Sequence, residues 1–198
     1  MEKNKLIIFA KQPERGKVKT RLAVSIGEVQ TLKIYLELLE ITKKITSTLS
    51  VEKIVYWDHL HLGNTLEFEF GDSKKVQAEG DLGLKMKIAF ENEFRSNFGK
   101  VLIIGTDCPF LTKEILEKAY HSLDDTDFVI GPAKDGGYYL LGMREFFPFV
   151  FDSIPWSTSE VLPLTLDVIR KNKKTVTLLT ELNDIDDIFD LKDWKGPL

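Results

Sequence analysis

Apolar positions along this chain follow two alternating rhythms. Short apolar-rich runs predict strands at Lys5 to Ala10, Val51 to Trp57, Val101 to Ile104, Phe128 to Gly131, Tyr138 to Met143 and Thr175 to Leu179, with the unbroken run Val101 to Ile104 reading as buried. A weaker run predicts a further strand at Val76 to Glu79. Between them lie stretches with helical spacing. Ile34, Leu38, Ile41, Ile45 and Leu49 form one apolar face of a helix from Glu28 to Leu49, and Met86, Phe90 and Phe94 form one of a helix from Leu82 to Phe98. Helices are also predicted from Thr112 to Leu123, from Thr158 to Asn172, and from Ile185 to Trp194 as a short closing element. Thr112 is the natural cap of its helix, because its hydroxyl can accept from the free N–H groups of the first turn. His59 to Lys75 has mixed signals and reads as irregular, with room for one short strand. Strands alternating with helices predict an α/β fold with a mainly parallel sheet.

Composition narrows this further. At 198 residues, 43% hydrophobic and 29% charged, the chain suits one soluble domain over residues 1–198. Its single cysteine, Cys108, excludes an intrachain disulfide and fits a reducing, cytoplasmic setting. The apolar run at Leu6 to Ala10 is too short for a signal segment, and no run is long enough to span a membrane. A net charge of −4 argues against nucleic acid as a partner, since phosphate binding needs cations. A basic cluster in such a chain needs a local reason.

That cluster follows the first strand. Lys11, Arg15, Lys17, Lys19 and Arg21 surround Gly16, where the backbone can approach a ligand closely. Charge runs are usually solvated turns, but a loop after the first strand of an α/β sheet is where phosphates bind. The dinucleotide fingerprint and the Walker loop are both absent, so this is a phosphate loop of another type. Asp107 stands just beyond the strand ending at Ile104, and Pro109 stops that strand. An acid there can hold a hard metal ion or make a turn. Gly80 and Asp81 fit either a nucleotide contact or a cap for the next helix, with the cap favoured. Asp135 precedes paired glycines, Gly136 and Gly137, so the loop before Tyr138 can present backbone N–H groups to a ligand or make a hairpin. Asp184, Asp186 and Asp187 gather carboxylates near the end of the chain, for metal binding or helix capping. Trp156, Ser157 and Thr158 place an aromatic beside hydroxyls, which suits an acceptor pocket. No Gly-x-Ser-x-Gly elbow and no zinc pattern is present, and Cys108 at a strand end reads as a small buried residue.

Taken in order, Phe9-Ala10-Lys11, Lys17 to Leu22, Gly80 to Gly83, Gly105 to Pro109, Asp135 to Gly142 and Trp156-Ser157-Thr158 resemble the nucleotide-diphospho-sugar transferase superfamily, with its glycosyltransferase A fold. The nearest resemblance is to a bacterial family labelled as glycosyltransferases. The basic loop is also similar to that of phospholactate and molybdopterin guanylyltransferases. The resemblance implies a three-layer fold with helices on both faces of the sheet. It implies a nucleotide or nucleotide-sugar donor, a small-molecule acceptor, and Mg2+ or Mn2+ held by Asp107 with Asp184 or Asp186. Lys11, Arg15, Gly16, Lys17, Lys19, Arg21, Gly80 and Asp81 would bind the donor. Asp107, Lys19, Arg21 and Asp135 would act at the reacting groups. Gly136, Gly137, Tyr138, Trp156, Ser157 and Thr158 would face the acceptor. Two departures stand out: position 105 of the usual Asp-x-Asp is Gly, and the closing motif runs Asp184-Ile185-Asp186-Asp187. The expected activity is glycosyl transfer, with nucleotidylyl transfer from a triphosphate as the alternative, and nucleotide binding without turnover as a third reading.

Overall fold

The computed structural model describes residues 4–59, 70–95, 99–192 and 194. Seven strands form one sheet: β1 (Lys5–Ala10), β2 (Glu52–Trp57), β3 (Ser73–Val76), β4 (Val101–Ile104), β5 (Phe128–Pro132), β6 (Tyr138–Met143) and β7 (Val176–Leu178). Their order is β3-β2-β1-β4-β6-β5-β7. Only β6 runs against its neighbours, β4 and β5. Among the described residues, five α-helices accompany the sheet: α1 (Thr20–Ile26), α2 (Glu28–Ser47), α3 (Leu82–Phe94), α4 (Lys113–Asp125) and α5 (Val161–Lys171).

Strand alternation sorts the core into two layers. Leu6 and Ile8 of β1 pack with Tyr35 and Leu39 of α2 and with Leu116, Ala119 and Leu123 of α4. Ile7, on the opposite face, packs with Met86, Ala89 and Phe90 of α3 and Ile169 of α5. The expected three layers are therefore present. Among the described residues, no helix is long and apolar enough to cross a membrane.

Sheet topology places the site. The chain passes from β1 to β2 on one side of β1, then returns through α3 to β4 on its other side. That reversal opens a crevice beyond the carboxyl ends of β1 and β4. Because β6 is antiparallel, its first residues lie at that same end, with Leu140 opposite Ile104. The C-terminal segment joins them by pairing with the end of β5: Ala133 bridges Leu182, and Lys134 N donates to Leu182 O at 3.1 Å.

Several boundaries differ from the sequence expectation. The third strand lies at Ser73–Val76, not Val76 to Glu79. Just past it, Gln77 N still donates to Trp57 O at 2.8 Å, and the Gln77 side-chain amide donates to the carbonyls of Ala10 and Tyr56. The basic loop closes into α1 at Thr20, a helix the sequence reading did not include. α5 starts at Val161, since Ser157 is left-handed (φ 64°) and Thr158 Oγ1 donates to Pro155 O. The closing helix expected from Ile185 to Trp194 is reduced to a 3-10 turn at Asp190–Lys192. There the Asp190 carboxylate takes the N–H groups of Asp186 and Asp187, at 2.8 and 2.9 Å. Residues 60–69, within the expected irregular stretch, and the last three of the expected Leu82 to Phe98 helix lie outside the described residues.

Candidate active site

The crevice at the ends of β1 and β4 has a volume of about 440 Å³. Lys11, Lys19, Arg21, Asp107, Asp184 and Asp186 are among its walls. Lys19 is the centre of the charge arrangement. Its Nζ lies 2.8 Å from Asp107 Oδ1 and 3.1 Å from Asp186 Oδ1, with the lysine side chain only 5% exposed. Burial works to depress the Lys19 pKa, but the two carboxylates outweigh it and raise it. Asp107 and Asp186 meet because Ile185 N donates to Asp107 O at 2.9 Å, which ties the C-terminal segment to the loop after β4.

Asp184 is the perturbed acid of the group. Burial first, then the nearby Asp107, pushes its carboxyl up to about 7, against the pull of Lys19. Its Oδ1 is buried with no hydrogen-bond partner. The Cys108 thiol is pushed up to about 12 by burial and by Asp184, so it is a poor nucleophile. Among the described residues, no three His, Cys, Asp or Glu side chains are grouped to hold a metal by themselves. Asp107 and Asp186, already bridged by a cation, still suit Mg2+ or Mn2+, which bind through few carboxylates plus waters and substrate phosphates.

A second cleft, of about 500 Å³, adjoins the first and shares Arg21, Leu82, Tyr138, Asp184 and Asp186 with it as walls. Asp135, Gly137, Trp156, Ser157 and Thr158 complete much of its lining. Gly137 N donates to Asp135 Oδ1 at 2.8 Å, which fixes that carboxylate in the turn. Gly136 has φ 88°, and a methyl group there would lie 2.4 Å from Ser159 O, so only glycine fits. The Trp156 ring stands edge-on to Tyr138, with centroids 6.5 Å apart.

Other candidates lie elsewhere. Arg15 is paired with Glu28 at 3.0 Å and Lys17 with Glu14 at 2.5 Å; neither they nor Gly16 lines either cleft. Asp81 caps α3, accepting from Leu84 N at 2.8 Å, and with Gly80 stands outside both linings.

The family described as "uncharacterized protein conserved in bacteria (DUF2064)" matches residues 42–158. The chain belongs to that family. A Desulfovibrio desulfuricans G20 protein assigned to the nucleotide-diphospho-sugar transferases is 31% identical, with a TM-score of 0.87 over 96% of this chain and 85% of that one. A 4-diphosphocytidyl-2C-methyl-D-erythritol synthase from Anaerococcus prevotii DSM 20548 superposes at a TM-score of 0.63, 12% identity and coverage of 97% and 96%. A Mycobacterium tuberculosis H37Rv protein, solved in complex with manganese, does so at 0.52 and 13%, covering 98% and 97%. No curated protein sequence matches the chain. This family member thus has the nucleotide-diphospho-sugar transferase fold, and its 31% identical relative places it among the transferases.

Some residues of this family member's site were not singled out in the sequence. Tyr35 of α2 holds the loop after β1 by donating to Lys11 O and accepting from Lys11 N, each at 2.8 Å. Asp190 organises the turn that carries Asp186. Both sit inside ordinary helical or acidic patterns, so only their hydrogen bonds, to a distant loop for Tyr35 and within its own turn for Asp190, reveal them.

Proposed function

We propose that the protein transfers a glycosyl group from a nucleotide sugar, bound with a divalent cation in the first cleft, to a small-molecule acceptor in the second. The observation that carries this reading is the shared wall of the two clefts at Arg21, Asp184 and Asp186, beside the Lys19–Asp107 pair. Donor and acceptor groups can meet there without leaving the protein. The charge count favours a diphosphate donor. Of five loop cations, Arg15 and Lys17 lie outside the donor cleft against Glu28 and Glu14; only Lys11, Lys19 and Arg21 line it, and Lys19 is itself shared with Asp107 and Asp186. A triphosphate would call for more neutralisation.

In the transfer, the bond between the sugar carbon and the diphosphate oxygen breaks as the acceptor oxygen bonds to that carbon. The acceptor proton passes to Asp135, whose second carboxylate oxygen is available while Oδ1 holds Gly137 N–H. Asp107 and Asp186 would hold the cation, which supplies charge neutralisation on the diphosphate. Lys11, Lys19 and Arg21 stabilise the leaving nucleoside diphosphate. One domain carries both clefts, and a reducing cytoplasm suits the lone Cys108.

The test is a thermal-shift panel of nucleotide sugars and nucleoside triphosphates, with and without Mg2+ or Mn2+. A ligand at about a hundredfold excess over its Kd stabilises by about 2.7 kcal/mol. At this chain length that raises the midpoint by roughly 2–4 °C per kcal/mol. A nucleotide sugar should outperform the matching triphosphate, and Asp107→Asn should remove the metal-dependent part of the shift while keeping the fold. A larger shift with the triphosphate would favour nucleotidylyl transfer instead.

A further inference from the structure

Lys19 is not a surface cation that happens to meet two acids. It is the residue before α1, with its backbone in the left-handed region (φ 46°, ψ 48°), where side chains other than glycine's are disfavoured. That conformation aims the side chain inward, where its ammonium is covered and bound to Asp107 and Asp186. The two carboxylates come from the loop after β4 and from the C-terminal segment. A buried ammonium needs such partners, and a cation between two neighbouring carboxylates relieves their mutual repulsion.

We propose that Lys19 is the resident cation of the free protein: its ammonium holds the place between Asp107 and Asp186 that a divalent cation takes when the donor binds, and it then passes to the donor phosphates. The inference rests on the donor reading above. A metal and an ammonium cannot both sit against the same two oxygens, because like charges at that distance repel strongly. Lysine's flexible four-carbon stem lets the ammonium travel while the backbone stays fixed. Lys11 and Arg21 line the same cleft, so phosphates drawn there offer the displaced ammonium new partners. Metal alone must break two charge-assisted hydrogen bonds with nothing to receive the lysine, whereas metal with donor exchanges one set for another. Donor and metal therefore bind with positive coupling, each raising the affinity of the other by the same factor.

The experiment measures Mn2+ binding without any nucleotide, from the paramagnetic signal of the free ion. Wild type, Lys19→Met, Lys19→Gln and the double variant Lys19→Met with Asp107→Asn are compared. Lys19→Met should bind Mn2+ about tenfold more tightly than wild type, or about 1.4 kcal/mol. The double variant should lose that gain. If Lys19→Met does not fold, Lys19→Gln gives the same comparison, because its polar amide suits the partly wet site and carries no charge to repel the metal. A folded Lys19 variant that binds Mn2+ no more tightly than wild type overturns the inference, as does the absence of Mn2+ binding in every protein. The donor reading fails separately: no nucleotide or nucleotide sugar would then shift the wild-type melting midpoint, whatever the Lys19 variants do with the metal.

Discussion

Gly83 joins two parts of the site through a missing methyl group. It lies in the first turn of α3, buried against the Trp156 indole. A methyl group there would lie 1.9 Å from Trp156 Nε1 and 2.2 Å from its Cε2, so the ring or the helix must move. Forcing extra volume into such a packed contact costs about 1–3 kcal/mol. Gly83→Ala should therefore lower the melting midpoint by several degrees, at roughly 2–4 °C per kcal/mol for a chain of this length. It should also shift the tryptophan fluorescence as the indole is displaced. An unchanged midpoint and emission would show that the site tolerates the methyl group without moving Trp156. In the sequence, Gly80 to Gly83 carried a capping acid and two glycines; that Asp81 would cap was legible, because a cap is a local rule. The fit of Gly83 to a ring more than seventy residues away was not, because it depends on how α3 and the segment before α5 meet.

At the scale of elements, the loop between β1 and α1 is held by its own salt bridges. Glu14 contacts Lys17 Nζ at 2.5 Å and His59 Nε2 at 2.7 Å, and His59 Nδ1 lies 3.1 Å from Asp58 Oδ1. The Glu14 contact, opposed by some burial and aided by Asp58, raises the His59 pKa above its ordinary 6.5. In reverse, Lys17 and His59 together hold the Glu14 carboxyl down to about 2. A histidine whose pKa is raised on folding adds stability below its unfolded pKa and loses it as the pH rises through the folded one. The His59 latch should thus be complete below about pH 6.5 and open above the folded pKa. Ring-proton titration by NMR should place His59 above 6.5, and Glu14→Gln should bring it back toward that value; equal titration in both proteins would deny the latch. Most strands and long helices of this chain were legible because each buries a continuous apolar run or stripe, as β1, β4, β5 and α2 do. α1 was not: it is short, it has no side-chain cap, and it begins at a left-handed lysine. β3 was misplaced because Ser73-Lys74-Lys75-Val76 is a lysine-rich edge strand set by pairing with β2, not by its own hydrophobicity. The closing helix is absent because the Asp187 side chain claims the backbone N–H groups of Phe189 and Asp190, which a helix from Ile185 would pair with the carbonyls four residues back.

For the whole molecule, the carboxyl ends of the strands are where distant segments converge, and two adjoining clefts open there, which the proposed function divides into a donor and an acceptor side. Asp107 was readable from its place at a strand end, and Trp156 from its aromatic-hydroxyl neighbourhood. Their positions in two adjoining clefts come from the antiparallel β6 and from the C-terminal segment paired to β5. Position along the chain carries no sign of either. The same separation also divides the effects of mutation. Trp156 lines the second cleft and not the first, while Arg21 lines both. Trp156→Ala should leave donor affinity near that of wild type, measured by titration of the donor with metal. Its kcat/KM for the acceptor should fall by roughly 100-fold, the effect of losing the wall that positions one reactant against the other. Arg21→Ala should weaken donor binding and also lower acceptor kcat/KM. Because Arg21 is exposed, the change should have little effect on the melting midpoint. The donor affinity of the Arg21 variant should in addition depend less on salt than that of wild type, since one exposed cation fewer is available to be screened. If Trp156→Ala weakened the donor as much as Arg21→Ala does, the two clefts would be one binding site, and the division into donor and acceptor sides would fall with it.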